Sequence, residues 1–247
     1  MNNTINELFN RKSVRAFSDE PISEEEKRYI LESAIQAPTA GNMALYSIID
    51  VQDQELKDKL AVLCDHQPFI AKAPLVLIFT IDYQKWYDII NIYTDGIDHL
   101  EESDMLLSAQ DCLIAAQNAV VAAESMGIGS CYIGDIMENY ETNRDLFNLP
   151  HYVLPFAMLV FGKPTQQQKE RIKPKRFELE DIVHVNAYHH KDKEETIEMF
   201  EKQTNKKGEE LEKYIQAFSK RKFYTEFRYE MNRSCREMVK NWLRKDK

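Results

Sequence analysis

The chain has 247 residues, a formal net charge of −9 and 43% hydrophobic residues, enough apolar surface for one large domain or two small ones. That acidic balance argues against non-specific nucleic-acid binding by the whole protein. The longest clean apolar run, Leu75–Phe79, falls far short of the ~20 residues a membrane helix needs, so no membrane partner is expected.

The first residues, Met1–Asn6, have neither a basic start nor an apolar run, and no secretion signal is expected. Ser23-Glu24-Glu25-Glu26 is a capping box that opens a helix running to about Gln36 and stopping before Pro38. Leu45–Val51 reads as a strand. Asp53–Cys64 reads as a helix, with Leu56, Leu60 and Leu63 at helical spacing. Pro74 opens the strand Leu75–Ile81, followed by a loop or short helical segment over 82–98. A long helix covers about Ser103–Met126. Its centre holds Ala109, Ala115, Ala116, Ala119, Ala122 and Ala123, so it is a candidate central or dimer helix, or else an alanine-rich helix inside one core.

Gly127–Gly134 reads as a turn and short strand, Glu138–Phe147 as a helix, and Phe156–Phe161 as a buried strand ended by Gly162-Lys163-Pro164. Residues 165–176 are polar and basic, a surface loop. Helices are expected at roughly 192–204, 207–219 and 225–244. The shift in composition near 185 predicts a core over 1–185 and a C-terminal helical extension over 186–247 wrapped on that core or on a partner subunit. Residues 220–247 hold ten Lys or Arg against four Asp or Glu, leaving about −15 on the remainder. The order of elements is α+β or α/β, and pattern alone does not separate them.

Two stretches carry chemistry. In Arg11-Lys12-Ser13-Val14-Arg15-Ala16-Phe17, Arg11, Ser13 and Arg15 alternate, and in extended chain they project to one side. Two guanidiniums and a hydroxyl together suit an anionic group needing charge and directed hydrogen bonds, such as a phosphate-bearing cofactor. Pro38-Thr39-Ala40-Gly41-Asn42 is a small-residue loop able to pass close to a flat ligand. Gly127-Ile128-Gly129 is no dinucleotide fingerprint, since it follows a helix. The four cysteines, Cys64, Cys112, Cys131 and Cys235, form no C-x-x-C pair, and reduced thiols in a cytoplasmic protein are expected. No metal site is expected, because His184, His189 and His190 lack ligand spacing with carboxylates or cysteines. No nucleophile triad is evident.

R-x-S-V-R-x-F resembles the opening motif of the FMN-dependent nitroreductase family. Pro38–Asn42, Gln67 in His66-Gln67-Pro68-Phe69, Ala73-Pro74, Ala116-Gln117-Asn118-Ala119, Glu124–Gly129, Tyr132-Ile133-Gly134 and Leu154-Pro155 follow in the family's order. Lys173-Pro174-Lys175-Arg176 then precedes Val183-His184. The likeness covers about residues 5–190 and is greatest to the larger, NADPH-preferring branch with its flavin reductases. It implies an α+β, nitroreductase-like fold: a central antiparallel sheet packed by helices, in an intertwined homodimer with flavin sites at the interface.

The resemblance also implies roles. Arg11 and Ser13, with Lys12 between them, match the flavin phosphate and ribityl positions. Arg15 matches the cation near the pyrimidine edge, where a fixed charge raises the reduction potential. Gln67 matches an amide that bonds the same edge. Thr39, Ala40, Gly41 and Asn42 correspond to a loop contributed by the partner subunit. Many relatives carry serines there, so hydrogen bonding falls to Thr39, Asn42 and backbone amides. Tyr132, Ile133, Gly134 and Asp135 match the segment on one flavin face, with a backbone N–H near Gly134 donating to N5. Arg176 and one of Lys173 and Lys175 are expected at the phosphate. Lys220, Arg221 and Lys222 are candidates for the 2′-phosphate of NADPH, or simply complement the acidic body.

The activity implied is ping-pong transfer of hydride from NADPH or NADH, through bound FMN, to a small-molecule acceptor such as a nitroaromatic, a quinone or free flavin. A flavin store or redox sensor without turnover is the alternative.

Overall fold

A computed structural model describes residues 2–245. The first unit comprises residues 1–171 and 229–247, and the second residues 172–228. The chain therefore divides elsewhere than at the expected 185/186 boundary.

The first unit opens with α1 (Asn3–Asn10) and α2 (Glu24–Ile35). In α2 the capping box forms as the sequence predicts, with Ser23 and Glu26 exchanging backbone bonds. Then come β1 (Tyr46–Asp50), α3 (Gln54–Leu63), α4 (Pro68–Ala71), β2 (Leu75–Asp82), α5 (Gln84–Tyr93) and α6 (Glu102–Ser125). After these lie β3 (Gly129–Ile133), α7 (Tyr140–Leu146), β4 (Val153–Gly162) and α8 (Gln166–Glu170). The strands form one antiparallel sheet in the order β1-β2-β4-β3, as the α+β reading requires.

Side chains alternate across a strand, and here the alternation divides the core in two. Leu75, Leu77, Phe79 and Ile81 of β2 join a cluster with Ile30 and Ala34 of α2 and Ala115, Ala119 and Val120 of α6. Val76 and Ile78 face the other way, among Leu60, Ile70, Cys131 and Val160. The sheet is thus covered on both faces, which explains why β2 is buried along its whole length.

The alanine-rich face of α6 lies in this core, with Ala115, Ala116, Ala119 and Ala123 fully buried. Its small residues therefore serve the chain's own packing. The helix is long and apolar enough to cross a membrane, yet that face packs with the sheet residues. Leu106, Leu107, Leu113 and Ile114 are exposed on α6, at spacings of seven that place them on a second, uncovered stripe.

The last helix, α12 (Glu226–Trp242), follows α9 (Leu179–Ile182), α10 (Lys193–Thr204) and α11 (Gly208–Phe223). Beyond Arg228 it belongs to the first unit. Trp242 is fully buried and donates its Nε1–H to the Glu101 carbonyl at 3.1 Å. It also meets the Tyr152 ring edge-on, 5.2 Å between centroids. This half of the expected extension is core. α12 also finishes α7, whose N-terminus has no side-chain cap of its own. Asn139 N–H donates to Glu230 Oε1 (3.2 Å), Tyr140 N–H to Ser234 Oγ (3.1 Å), and Arg233 forks onto Glu141.

Candidate functional site

Residues 11–17 run extended beside the sheet. Val14 N–H donates to Ser130 O at 2.9 Å, and Ser13 bridges Ser130 in parallel. Two glycines permit the approach. A Cβ on Gly129 would sit 2.4 Å from a Val14 methyl, and one on Gly162 2.4 Å from the Phe17 ring. Val14 is 4% exposed. With Val14 packed inward, alternation turns its neighbours Ser13 and Arg15 to the other side, while Phe17 breaks the alternation by packing on Gly162.

Neither Arg11 nor Arg15 forms an ion pair among the described residues. Arg11 Nε is buried without a hydrogen-bond partner, and so is Ser130 Oγ on β3. Such groups are costly to leave unsatisfied. Burial pushes the Cys131 thiol up, opposed by the Arg15 and Arg11 charges and by hydrogen bonding from Ser13 and Arg15. Lys12 is placed differently from its neighbours: its ammonium donates to the carbonyls of Lys169 and Arg171, so it ties down a loop.

Arg15 also stands over the Phe69 ring, 5.9 Å from its centroid, a cation–π distance. Phe69 brings Gln67, which precedes α4. The Gln67 amide nitrogen donates to Asp135 Oδ2 (2.6 Å) and to the Cys64 carbonyl (2.9 Å). Both its hydrogens are thereby used, and Oε1 remains to accept from an N–H. Asp135 belongs to the 3₁₀ turn Gly134–Met137 that follows β3. A Cβ on Gly134 would meet nothing within 4 Å, so the space before this turn is open. Tyr132 is directed elsewhere, its hydroxyl donating to Gln117 Oε1 at 3.3 Å.

The loop at 39–42 is held from α6. Asp111, 3% exposed, accepts from the Thr39 hydroxyl, Ala40 N–H (3.0 Å) and Leu45 N–H (3.1 Å). Thr39 Oγ1 in turn accepts from Ala44 N–H at 2.7 Å. The Thr39 hydroxyl is spent inside the loop, contrary to its expected role toward a ligand. No recorded hydrogen bond or ion pair joins this loop to Arg11–Arg15 or Gln67 among the described residues.

Within the second unit, Lys175 donates to the Lys202 carbonyl (2.9 Å) and pairs with Glu178 (3.0 Å). Arg176 is exposed and forms no ion pair among the described residues. Lys220, Arg221 and Lys222 occupy the exposed last turn of α11, where they complement its dipole. Arg221 lies over Phe218 at 5.6 Å. Among the described residues no cluster of His, Cys, Asp or Glu could hold a metal. Burial pushes the Cys64 and Cys112 thiols well up, so they are poor nucleophiles.

Three contributors escaped the sequence reading. Arg171 donates to the Ser13 carbonyl, and Gln168 Oε1 accepts from Arg15 N–H at 3.4 Å. Both lie in or beside α8, in the stretch read as a free surface loop. Asp111 is the third. A lone carboxylate on the apolar stripe of an alanine-rich helix was the available signal.

Burial, followed by the charges of Asp135, Asp65 and Glu230, raises the Glu138 carboxyl from 4.5 to about 7. Its folded pKa therefore lies above its unfolded one, and between those values the native state holds the extra proton. Stability is predicted to fall as pH rises from about 4.5 to about 7. Glu138→Gln is expected to lessen that fall, so that its melting temperature exceeds the parent's at pH 8 by more than at pH 5. Parallel thermal melts of the two proteins check this.

Residues 8–163 match the model of the nitroreductase family. The chain belongs to that family. It is 31% identical over 235 residues to an FMN reductase [NAD(P)H] of Bacillus subtilis, covering 89% of this chain and 90% of the relative. A second B. subtilis relative, an FMN reductase (NADPH), is 33% identical over 76% of this chain and 75% of its own. Among solved structures, the NADPH:FMN oxidoreductase of Vibrio harveyi, complexed with NAD+, matches with a TM-score of 0.80 and 26% identity, over 96% and 98% of the two chains. The nitroreductase-like fold expected from the motifs is therefore the fold of this chain.

The groups described suit FMN. Unpaired guanidiniums and a buried orphan Nε suit a dianionic phosphate. The Gln67 carbonyl suits a ring N–H, and the open face of Gly134 suits a flat ring.

Proposed function

We propose that this nitroreductase-family protein binds FMN with Arg11, Ser13, Arg15, Gln67, the 39–42 loop and residues 132–135, and uses NADPH or NADH to reduce electron-poor acceptors. Quinones, nitroaromatics and free flavin are the acceptor classes. Bound FMN supplies a site that takes up a hydride from one stacked partner and gives two electrons to the next.

The protein's part is placement and charge. Arg11 and Ser13 hold the phosphate end. Arg15 keeps its charge at any working pH and favours negative charge on the adjoining ring edge. Gln67, fixed by Asp135, presents its carbonyl to the same edge. The open face at Gly134 leaves room for stacked rings, and stacking at fixed distance supplies the proximity that hydride transfer needs. No side chain need act as acid or base in that transfer, since protons for the product come from water.

We infer a homodimer in the cytoplasm. The uncovered stripe Leu106, Leu107, Leu113 and Ile114, with Ile5, Leu8 and Phe9 exposed on α1, is the apolar surface a second copy would cover. The four thiols are free, in keeping with a reducing compartment.

The observation that carries this reading is that Arg11 and Arg15 form no ion pair among the described residues and that Arg11 Nε is buried and unsatisfied. The test is the visible spectrum of desalted protein incubated with FMN, then NADPH oxidation with menadione. A yellow protein that turns over is expected. A yellow protein without turnover would favour a flavin store, and a colourless one would remove the reading. In potentiometry, Arg15→Ala is expected to lower the midpoint of the bound flavin, and an unchanged midpoint counts against Arg15's role.

A further inference from the structure

We propose that Asp111 is a positioning residue for the flavin site: from inside α6 it clamps the 39–45 loop in its ligand-ready shape. This rests on the reading that residues 39–42 contact FMN.

Four donors of the loop converge on one carboxylate and one hydroxyl. Asp111 Oδ1 takes Ala40 N–H, and Oδ2 takes Leu45 N–H and the Thr39 hydroxyl, while Thr39 Oγ1 takes Ala44 N–H. No cation pairs with Asp111 among the described residues. Removing these donors would leave a buried carboxylate uncompensated, so loop and carboxylate depend on each other. The loop needs such a hold. Gly41, Asn42 and Ala44 all lie in the left-handed region, at φ of 55°, 56° and 48°, and Asn42 and Ala44 pay for their Cβ atoms there. A backbone of this kind persists when its surroundings over-determine it.

The clamp decides which groups face outward. With Thr39 turned inward, the exposed Asn42 side chain, free of recorded partners among the described residues, and the Gly41 backbone form the loop's outer surface. The hydroxyls expected at this loop are thus replaced by an amide presented by a fixed turn. Because the turn is set before a ligand arrives, binding loses less conformational entropy than with a mobile loop. Loss of Asp111 is therefore felt in FMN affinity.

The test titrates FMN into flavin-free protein and follows quenching of flavin fluorescence. Asp111→Asn keeps the shape but turns one acceptor into a donor facing an N–H. It is expected to raise the FMN dissociation constant about 30-fold, and Thr39→Val, which loosens the same clamp, about tenfold. The double variant is expected to be no weaker than Asp111→Asn alone, because both changes open one network. Arg11→Ala serves as the control for the flavin reading.

If Arg11→Ala weakens binding while Asp111→Asn and Thr39→Val bind as the parent does, the clamp is disproved and the flavin reading stands. If all three bind as the parent, both fall. A lowered melting temperature with unchanged affinity makes Asp111 purely structural and also overturns the proposal. Should Asp111→Asn fail to fold, Thr39→Val decides alone.

Discussion

Arg11→Ala is expected to fold normally and to bind FMN roughly 10- to 150-fold more weakly than the parent protein. The magnitude follows from the 1.5–3 kcal/mol or so that a hydrogen bond to a charged group contributes. Normal folding follows from geometry. Arg11 forms no ion pair among the described residues, and its Nε is a buried donor without an acceptor, so its removal breaks no internal bond. Lys12→Ala should behave in the opposite way. Its ammonium holds the carbonyls of Lys169 and Arg171, so its loss loosens the α8 segment and leaves the phosphate contacts in place. Equilibrium titration of flavin-free protein, with thermal melts of both variants, separates the two effects. An Arg11→Ala protein with unaltered affinity would contradict the placement of the phosphate.

Trp242→Ala is expected to destabilise the protein by about 3–5 kcal/mol, a loss typical of truncating a buried aromatic residue. Trp242 has no exposed surface, its Nε1–H satisfies the Glu101 carbonyl, and its ring packs on Tyr152. Truncation opens a cavity and strands an acceptor at the start of α6. For a chain of this size the melting temperature should drop by on the order of 10 °C. A surface strap would tolerate the change, so a shift below about 2 °C would show that α12 only rests on the core.

The local shape of the candidate site's first segment was legible in the residues because its signals are local. Alternation in Arg11-x-Ser13-x-Arg15 needs only an extended backbone, and the structure supplies it by packing Val14 against Gly129. The capping box at Ser23 and the apolar runs of β2 and β4 are equally local. What escaped depends on pairing between distant segments. Asp111 meets the 39–45 loop from 66–72 residues away, and Arg171 meets Ser13 from 158. The helix at 226–242 was found, but its membership in the core was not. Its mean composition is charged, and its few buried residues, Ser234, Met238 and Trp242, fix its place. Thr39 was misjudged for the same reason, since nothing adjacent in sequence reveals that its hydroxyl points at Asp111.

The borrowed cap on α7 has a consequence for synthesis. Seven residues make too short a helix to persist alone in water, and the acceptors for Asn139 and Tyr140 lie 91 and 94 residues downstream. At translation rates of about 5–20 residues per second, a nascent chain waits roughly 5–20 s for them. Until Glu230 and Ser234 emerge from the ribosome, the segment joining β3 to α7 lacks its final anchor. The stretch that would meet the pigment should therefore settle late, and ribosome-bound chains halted before residue 230 should fail to retain the yellow colour.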